Sequence, residues 1–339
     1  MHEAMFYEKL IDQRVRCNLC PNFCVIGNGS AGRCRGRKNI DGILYATNYG
    51  ATISLALDPI EKKPLYHYYP GSMILSLGAN SCNLSCFFCQ NFQISQYSIP
   101  TSEISPTALL KYLIDNQLNR VAFTYTEPLT WLEYILDFGS LSRHLEIDIV
   151  LVTNGYINPE PLLTILPVIS AMNIDLKAYD PEFYINSCLG QLEPVLGTIE
   201  TAFESGVHIE LTNLIIPGLN DTERHFSALT SFVAGVSKDI PLHFSRYHPA
   251  YRSKIFATPL STIEQACKNA SKELNYVYAG NCHIPDFIDT ICPKCKRILI
   301  QRSNYQPRSH IVSSHPNPSD NPTGICPSCK QEIYGRYFS

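Results

Sequence analysis

From Gly71 onward the chain repeats one rhythm, an apolar run of strand length followed by an amphipathic stretch of helix length. The runs are MILSLG (73–78), RVAFTY (120–125), IDIVLVT (147–153), AMNIDL (171–176), HIELTNLII (208–216) and PLHFSRY (241–247). A seventh, YVYAG (276–280), follows a helix expected over about 261–273. Strands separated by helices run parallel, because each helical crossover carries the chain back to the same end of the sheet. The pattern predicts an α/β fold, a partial (β/α)6 TIM-like barrel over residues 71–285, with the seventh run completing or flanking the sheet. Local signals agree. Ser105 and Pro106 supply a capping hydroxyl and a proline at the first helical position, and Asn220, Asp221 and Thr222 precede Phe226, Leu229 and Val233 at helical spacing. With 45% apolar residues among 339, the chain can bury a core of this size.

The rhythm is absent at both ends, where cysteine takes over. Eleven of the fourteen cysteines fall into three clusters, too many for chance in a chain with no visible signal peptide or membrane span, and clustered thiols in a reducing, cytoplasmic setting indicate metal before disulfides. Residues 1–70 hold Cys17, Cys20, Cys24 and Cys34 among short turns and read as a small Cys-rich metal-binding module. Residues 286–339 hold Cys292, Cys295, Cys326 and Cys329 as two Cys-Pro-X-Cys knuckles, the mark of a zinc-ribbon or rubredoxin-like module with structural zinc. Their connection, 303–323, is rich in Ser, Pro and Asn and reads as a mobile loop. The N-terminal four suit a closed tetrahedral zinc, the favoured reading, or an auxiliary iron–sulfur cluster; spacing does not choose between them.

The middle cluster, CNLSCFFC, offers only Cys82, Cys86 and Cys89, directly after the first strand of the series, where the reactive loops of α/β sheets lie. The CxxxC-x-aromatic-C pattern, with Phe88 before the third cysteine, resembles the radical S-adenosylmethionine (SAM) superfamily. The resemblance implies that three thiolates hold a [4Fe-4S] cluster whose fourth iron takes the amino and carboxylate groups of SAM, and that reductive cleavage gives a 5′-deoxyadenosyl radical which abstracts hydrogen from a substrate. Other strand ends fit this family. FTYTEP resembles its methionine-binding turn, with Glu127 and Pro128 matching and Tyr125 and Thr126 standing where two glycines are usual; Thr126, Glu127 and Pro128 are expected to hold the methionine end of SAM. Thr153, Asn154 and Gly155 follow the third strand, Asp175 and Lys177 the fourth, and His243 lies on the sixth; all are expected to bind SAM.

Longer segments, among them CNLCPNFC, DPIEKKPLYHYYPGS, IDLKAYDPEFY, LIIPGLND and SRYHP, are similar to the radical SAM enzyme of the AmmeMemoRadiSam system, a relative of pyruvate formate-lyase activating enzymes. This implies an electron donor such as flavodoxin or ferredoxin, and the company of Memo-like and AMMECR-type proteins. An activating enzyme for a glycyl radical partner is the alternative within the family, although Thr212 and Asn213 replace the basic residue expected before IIPGLND. A non-catalytic zinc-containing nucleic-acid adaptor is the alternative outside it. Arg33, Arg35, Arg37 and Lys38 make a local basic run, but a net charge of −3 speaks against nucleic acid, and the run reads as a solvated face. In DPIEKKPLYHYYPG, the packed-linker reading competes with one in which Lys62, Lys63 or His67 lines a substrate mouth. Cys188, after the fourth strand, and Cys267, in a helix core, both read as inert, with reach to the active site the alternative for Cys188. The residues carrying the substrate chemistry are not legible.

Overall fold

The computed structural model describes residues 1–303, 306–314 and 323–338. Its centre is a nine-stranded sheet in which seven strands run parallel: β2 (Met73–Ala79), β3 (Arg120–Phe123), β4 (Asp148–Thr153), β5 (Ala171–Asp175), β6 (His208–Ile215), β7 (Leu242–Arg246) and β8 (Val277–Gly280). All six expected strands and the seventh run are present, in sequence order across the sheet. The long crossover helices are α1 (Pro106–Asp115), α2 (Leu132–Ser142), α3 (Pro159–Ile165), α4 (Glu193–Glu204), α5 (Glu223–Val236) and α6 (Leu260–Ala270). Ser105 accepts from Ala108 N and Thr222 from His225 N, so both sequence caps close orphan donors at helix starts.

Strand alternation divides the β-residues between two faces. One face packs on the helices through Leu75, Val121, Phe123, Ile149, Leu151, Met172, Leu211 and Phe244, all buried. On the other, Ile74, Ala122, Val150 and Ala171 meet Ile60, Leu65 and Tyr68 in a separate buried cluster. The 60–72 segment thus turns back across the inner face of the sheet and packs on it through Ile60, Leu65 and Tyr68.

The N-terminal boundary differs from the expected residue 70. β1 (Ala51–Pro59) belongs to the main sheet, antiparallel to β2 with Leu55 opposite Leu77 and Asp58 opposite Ile74. Its alternating ATISLALDP pattern was obscured by the Gly-rich run before it. Residues 1–50 form two small three-stranded sheets, β-structured rather than irregular. At the other end, residues 306–314 of the stretch read as a mobile loop contain two short strands: Arg308–Ser309 pairs with Ile298–Gln301, and Val312–Ser313 with Gly324–Ile325. Residues 304–305 and 315–322 of that stretch lie outside the described residues.

The basic run is a solvated face at Arg33 and Lys38, which are exposed, but not at Arg37. Arg37 is buried, and its Nη2 donates to both oxygens of Glu133 on α2 at 2.8 Å. Arg37 Nη1 donates to Met5 O, and Met5 N donates to Glu133 Oε1. This closed ring of bonds clamps the N-terminal segment to α2. Removing one partner of a buried pair strands the other charge, so Glu133→Ala is expected to cost roughly 3–5 kcal/mol. Arg37→Met with Glu133→Leu removes both charges and is expected to recover most of that loss; denaturant titration of both proteins checks it.

Candidate active site

Four turns build the site from the carboxyl ends of β2 to β5. The loop after β2 carries the three cysteines, and Phe88, packed edge-on to Phe87 at 5.4 Å and near Phe183 at 5.9 Å, backs it rigidly. Cys82, Cys86, Cys89, Phe88, Thr126, Glu127, Thr153, Asn154, Asp175 and Lys177 line one cavity of about 360 Å³. Ten of the expected site residues therefore converge, and the volume is that of a small-molecule site. Polar hydrogens face the sulfurs: Ser95 Oγ lies 3.2 Å from Cys89 Sγ, and Asn154 Nδ2 lies 3.9 Å from Cys82 Sγ. Such contacts stabilise ligating thiolates and tune a cluster's potential.

Glu127 organises the turns. Its backbone N donates to Ser81 O at the start of the cysteine loop. Its carboxylate accepts from Leu129 N (3.0 Å), Thr153 Oγ1 (2.6 Å) and Asn154 N (2.8 Å). Burial outweighs the pull of those donors and leaves its pKa at about 7. Glu127 and Thr153 thus have their side chains committed to one another, and Asn154 Nδ2 is held by Asn83 Oδ1 at 2.9 Å. These side chains position the site. Asp175 and Lys177, paired at 3.0 Å and half-buried, keep surface on the cavity.

The turn after β3 answers the missing glycines. Tyr125 itself adopts a left-handed conformation, φ 69°, which a bulky residue enters only when its surroundings hold it there. Its hydroxyl donates to Asp58 (2.8 Å), and the Lys63 ammonium sits 4.6 Å from its ring centre. Asp58 also accepts from Lys63 at 2.8 Å. Burial raises the Asp58 pKa, but the bonds from Lys63 and Tyr125 outweigh it and leave it at about 2. Lys62 and Lys63 do line the cavity, as the sharper sequence reading expected.

Three expected residues stand elsewhere. Pro128 opens a buried 3₁₀ turn (Pro128–Trp131), and Gly155 occupies a φ 67° turn where an added Cβ would come within 3.0 Å of Ile174. His243 is not at the strand end. It lies low on β7, in register with Thr212 and Tyr278, with Nε2 2.7 Å from Glu210 Oε2. Sequence reading missed the partner: Glu210 stands in the middle of an apolar strand, an anomaly that marks a buried polar network. His208 Nε2 (3.2 Å) and His67 N (2.7 Å) also meet Glu210. His67 Nε2 contacts Tyr278 Oη at 2.6 Å, so His67 seals the lower sheet and does not line the mouth. The C-terminal module completes this floor. His67 Nδ1 lies 2.7 Å from Tyr334 O, and Arg302 donates to Tyr66 O while stacking on its ring at 4.2 Å.

Other cavity residues escaped the sequence reading: Thr124, Thr212 and Asn281. Thr212 faces Asp175 across β5 and β6, so two-residue alternation carried through the register would have found it. Cys188 is fully buried and its side chain reaches Cys86, while Cys267 is buried in α6.

The C-terminal cysteines form two matching knuckles. Lys296 N donates to Cys292 O and Lys330 N to Cys326 O, both at 3.0 Å, with each lysine in a left-handed conformation. Cys292 and Cys329 Sγ lie 3.5 Å apart, Cys295 and Cys326 Sγ 3.6 Å. All four ligand atoms lie within 4.8 Å of one another, a group that could hold a metal ion.

Residues 77–231 match the family model described as the Radical SAM superfamily. The chain belongs to the radical SAM superfamily. It is 44% identical over 308 residues to an uncharacterized protein of Methanocaldococcus jannaschii, covering 89% of this chain and 92% of that one. It is 29% identical over 153 residues to a probable GTP 3′,8-cyclase of Methanococcus aeolicus, covering 41% of this chain and 50% of that one. Among solved structures, SuiB of Streptococcus suis bound to S-adenosylmethionine aligns with a TM-score of 0.50 and 15% identity, over 62% of this chain and 52% of that one, a likeness of fold. Membership implies a [4Fe-4S] cluster and SAM, and the three thiols and their donors fit that pair. Among the described residues no helix is long and apolar enough to cross a membrane.

The buried network below the site sets an acid limit. Burial lowers the His67 pKa to about 3, so the folded protein resists its protonation. Burial alone would raise Glu210, but His208 and His243 hold its pKa well below the carboxylate range. Both shifts are downward, so the stability they contribute is present above the unfolded-state values and is lost as pH falls. Between pH 6.5 and 4 the His67 share of that loss is about 3 kcal/mol. Denaturation midpoints across this range are expected to fall steeply in the wild type and more shallowly in His67→Gln.

Proposed function

We propose that this protein reductively cleaves SAM at a [4Fe-4S] cluster held by Cys82, Cys86 and Cys89 and directs the resulting radical to a substrate beside the cavity. The observation that carries this reading is the convergence of three thiols with the ends of β3, β4 and β5 on one cavity. When bound, the reduced cluster supplies one electron to the sulfonium of SAM, releasing methionine and a 5′-deoxyadenosyl radical that abstracts a hydrogen atom. The chain supplies position and shelter. Three thiolates leave one coordination place for the methionine end of SAM. Backbone groups of the turn from Tyr125 to Pro128 would take its amino group, and the bond from Tyr125 to Asp58 supports the conformation of that turn. Asp175 and Lys177 offer an acceptor and a cation to its carboxylate and ribose. Thr153, Asn154, Gly155, Pro128 and Glu127 shape the pocket through its turns, and Phe88 packs behind the thiols.

A second lobe of about 400 Å³, sharing Lys62, Lys63, Pro64, Tyr125, Thr212, Ser245 and Asn281 with the first and reaching His243 and Tyr66, is the seat we assign to the substrate. His243 therefore passes from cofactor contact to the wall of the substrate lobe. The parallel sheet reads as a partial barrel, the C-terminal knuckles as a structural zinc ribbon, and the electron source as a flavodoxin or ferredoxin. Zinc fits because bonds of about 2.3 Å in a tetrahedron put sulfurs about 3.8 Å apart, close to the spacing of the knuckle thiols. The kinship with the AmmeMemoRadiSam enzyme makes Memo-like and AMMECR-type proteins the partners to test.

Replacing any one of Cys82, Cys86 and Cys89 by alanine is expected to abolish 5′-deoxyadenosine formation by anaerobically reconstituted protein with excess dithionite. Unchanged cleavage in one such variant would refute the assignment. Asp175→Ala is expected to weaken SAM binding by roughly 1–3 kcal/mol, the cost of a buried polar partner left unmet, with iron content unchanged; calorimetry with parallel iron analysis measures both.

A further inference from the structure

The N-terminal cysteines are arranged unlike the C-terminal ones. A single tetrahedral ion draws its four thiolates within a few ångströms of one another, as Cys292, Cys295, Cys326 and Cys329 already stand. Among the described residues those four are the one group of potential ligands whose atoms all lie within 4.8 Å, so no three of Cys17, Cys20, Cys24 and Cys34 gather that closely. The N-terminal four instead surround a hollow whose wall also includes Arg37 and Asn83. Cys82, Cys86 and Cys89, the proposed ligands of the site cluster, likewise form no such close group among the described residues. The reason is geometric. In a cube each thiolate ligates a different iron, so the sulfurs stand apart around a body larger than one ion.

Arg37 gives a second, independent indication. It is 1% exposed, and its Nε has no hydrogen-bond partner although the rest of its guanidinium is bonded to Glu133 and Met5. A buried cationic donor left open beside four thiols fits an anionic occupant of the hollow, as a thiolate-ligated cluster is.

The hollow also touches the active-site loop. Asn22 Nδ2 reaches Cys20 Sγ at 3.6 Å and donates to Asn83 O at 2.8 Å, and Asn83 directly follows Cys82. Two hydrogen bonds and a short run of backbone therefore join a thiol of one site to a thiol of the other. With four protein thiolates every iron of an N-terminal cube is capped, so substrate has no open place on it, and electron transfer is the chemistry that remains.

We propose that Cys17, Cys20, Cys24 and Cys34 hold a second [4Fe-4S] cluster that relays electrons to the active site. A reduced flavodoxin or ferredoxin gives one electron to the N-terminal cluster, taking it from the 2+ to the 1+ state. The same electron crosses to the site cluster, which goes from 2+ to 1+ while the N-terminal cluster returns to 2+; no atom or proton moves. The relay rests on the radical SAM reading of the three-thiol site, whereas the N-terminal cluster stands without it.

The test is iron, acid-labile sulfide and zinc analysis, with electron paramagnetic resonance after reduction, on anaerobically prepared full-length protein and on the variant carrying Cys82→Ala, Cys86→Ala and Cys89→Ala. The N-terminal module is untouched in that variant. It is expected to keep half the wild-type iron and sulfide, unchanged zinc, and a reduced-cluster signal free of spin–spin broadening. Background iron in the variant, with zinc at two sites per wild-type chain, overturns the proposal. Iron equal to wild type would keep the second cluster and strike instead at the three-thiol reading. For the relay, Cys20→Ala with an intact site cluster is expected to lose flavodoxin-driven 5′-deoxyadenosine formation while dithionite, small enough to reduce the site directly, still supports it. Equal falls with both reductants overturn the relay.

Discussion

The carboxylate of Glu127 is the constraint on which the site depends. Strand pairing orders the sheet, but it says nothing about how three loops should meet above it. Glu127 joins them: its N–H reaches the loop after β2, and its oxygens take a hydroxyl and an amide from the end of β4 and an amide from its own turn. Burial outweighs these donors and leaves its pKa at about 7, so desolvation remains the larger influence on this carboxylate. Asn154, fixed by this carboxylate through its N–H, then presents its side-chain amide to Asn83 and Cys82. The thiol loop is thus oriented from a strand end rather than by its own sequence.

The flanking modules enclose the sheet by different means. The N-terminal module is held by a buried ion pair, Arg37 with Glu133, whose strength depends on both partners being present. The C-terminal module is held by aromatic contact and by the His67, Glu210 and Tyr278 network that fills the lower sheet. The cavity lies at the carboxyl ends of the strands, where a reactive intermediate would have to be sheltered.

Strand positions were legible because apolar runs bounded by helix-length segments admit few alternatives, and the three-cysteine loop because its ligands are consecutive in sequence. Less was legible where meaning depends on tertiary register. His243 reads like a strand-end ligand, yet its position in β7 puts it opposite Thr212 and onto Glu210. Arg37 reads as part of a surface run, but the pairing of Arg37–Ile40 with Ile43–Ala46 turns it inward. Tyr125 reads as a defect in a glycine turn until Asp58, 67 residues earlier, is seen to hold it. β1 was hidden because its outer side is paired only at Ala51 and Thr52, with Glu103 and Ser102; along the rest of its length that side is open, Leu55 and Leu57 are exposed, and the apolar demand is weaker than on a central strand.

The central claim is that the three thiols leave one iron open to the methionine end of SAM. Electron–nuclear double resonance on the dithionite-reduced protein, with SAM carrying ¹⁵N in its amino group and ¹⁷O in its carboxylate, addresses it most directly. Hyperfine coupling of both labels to the cluster spin is the predicted result. A cluster signal unchanged by saturating labelled SAM, with neither nucleus coupled, would contradict the account.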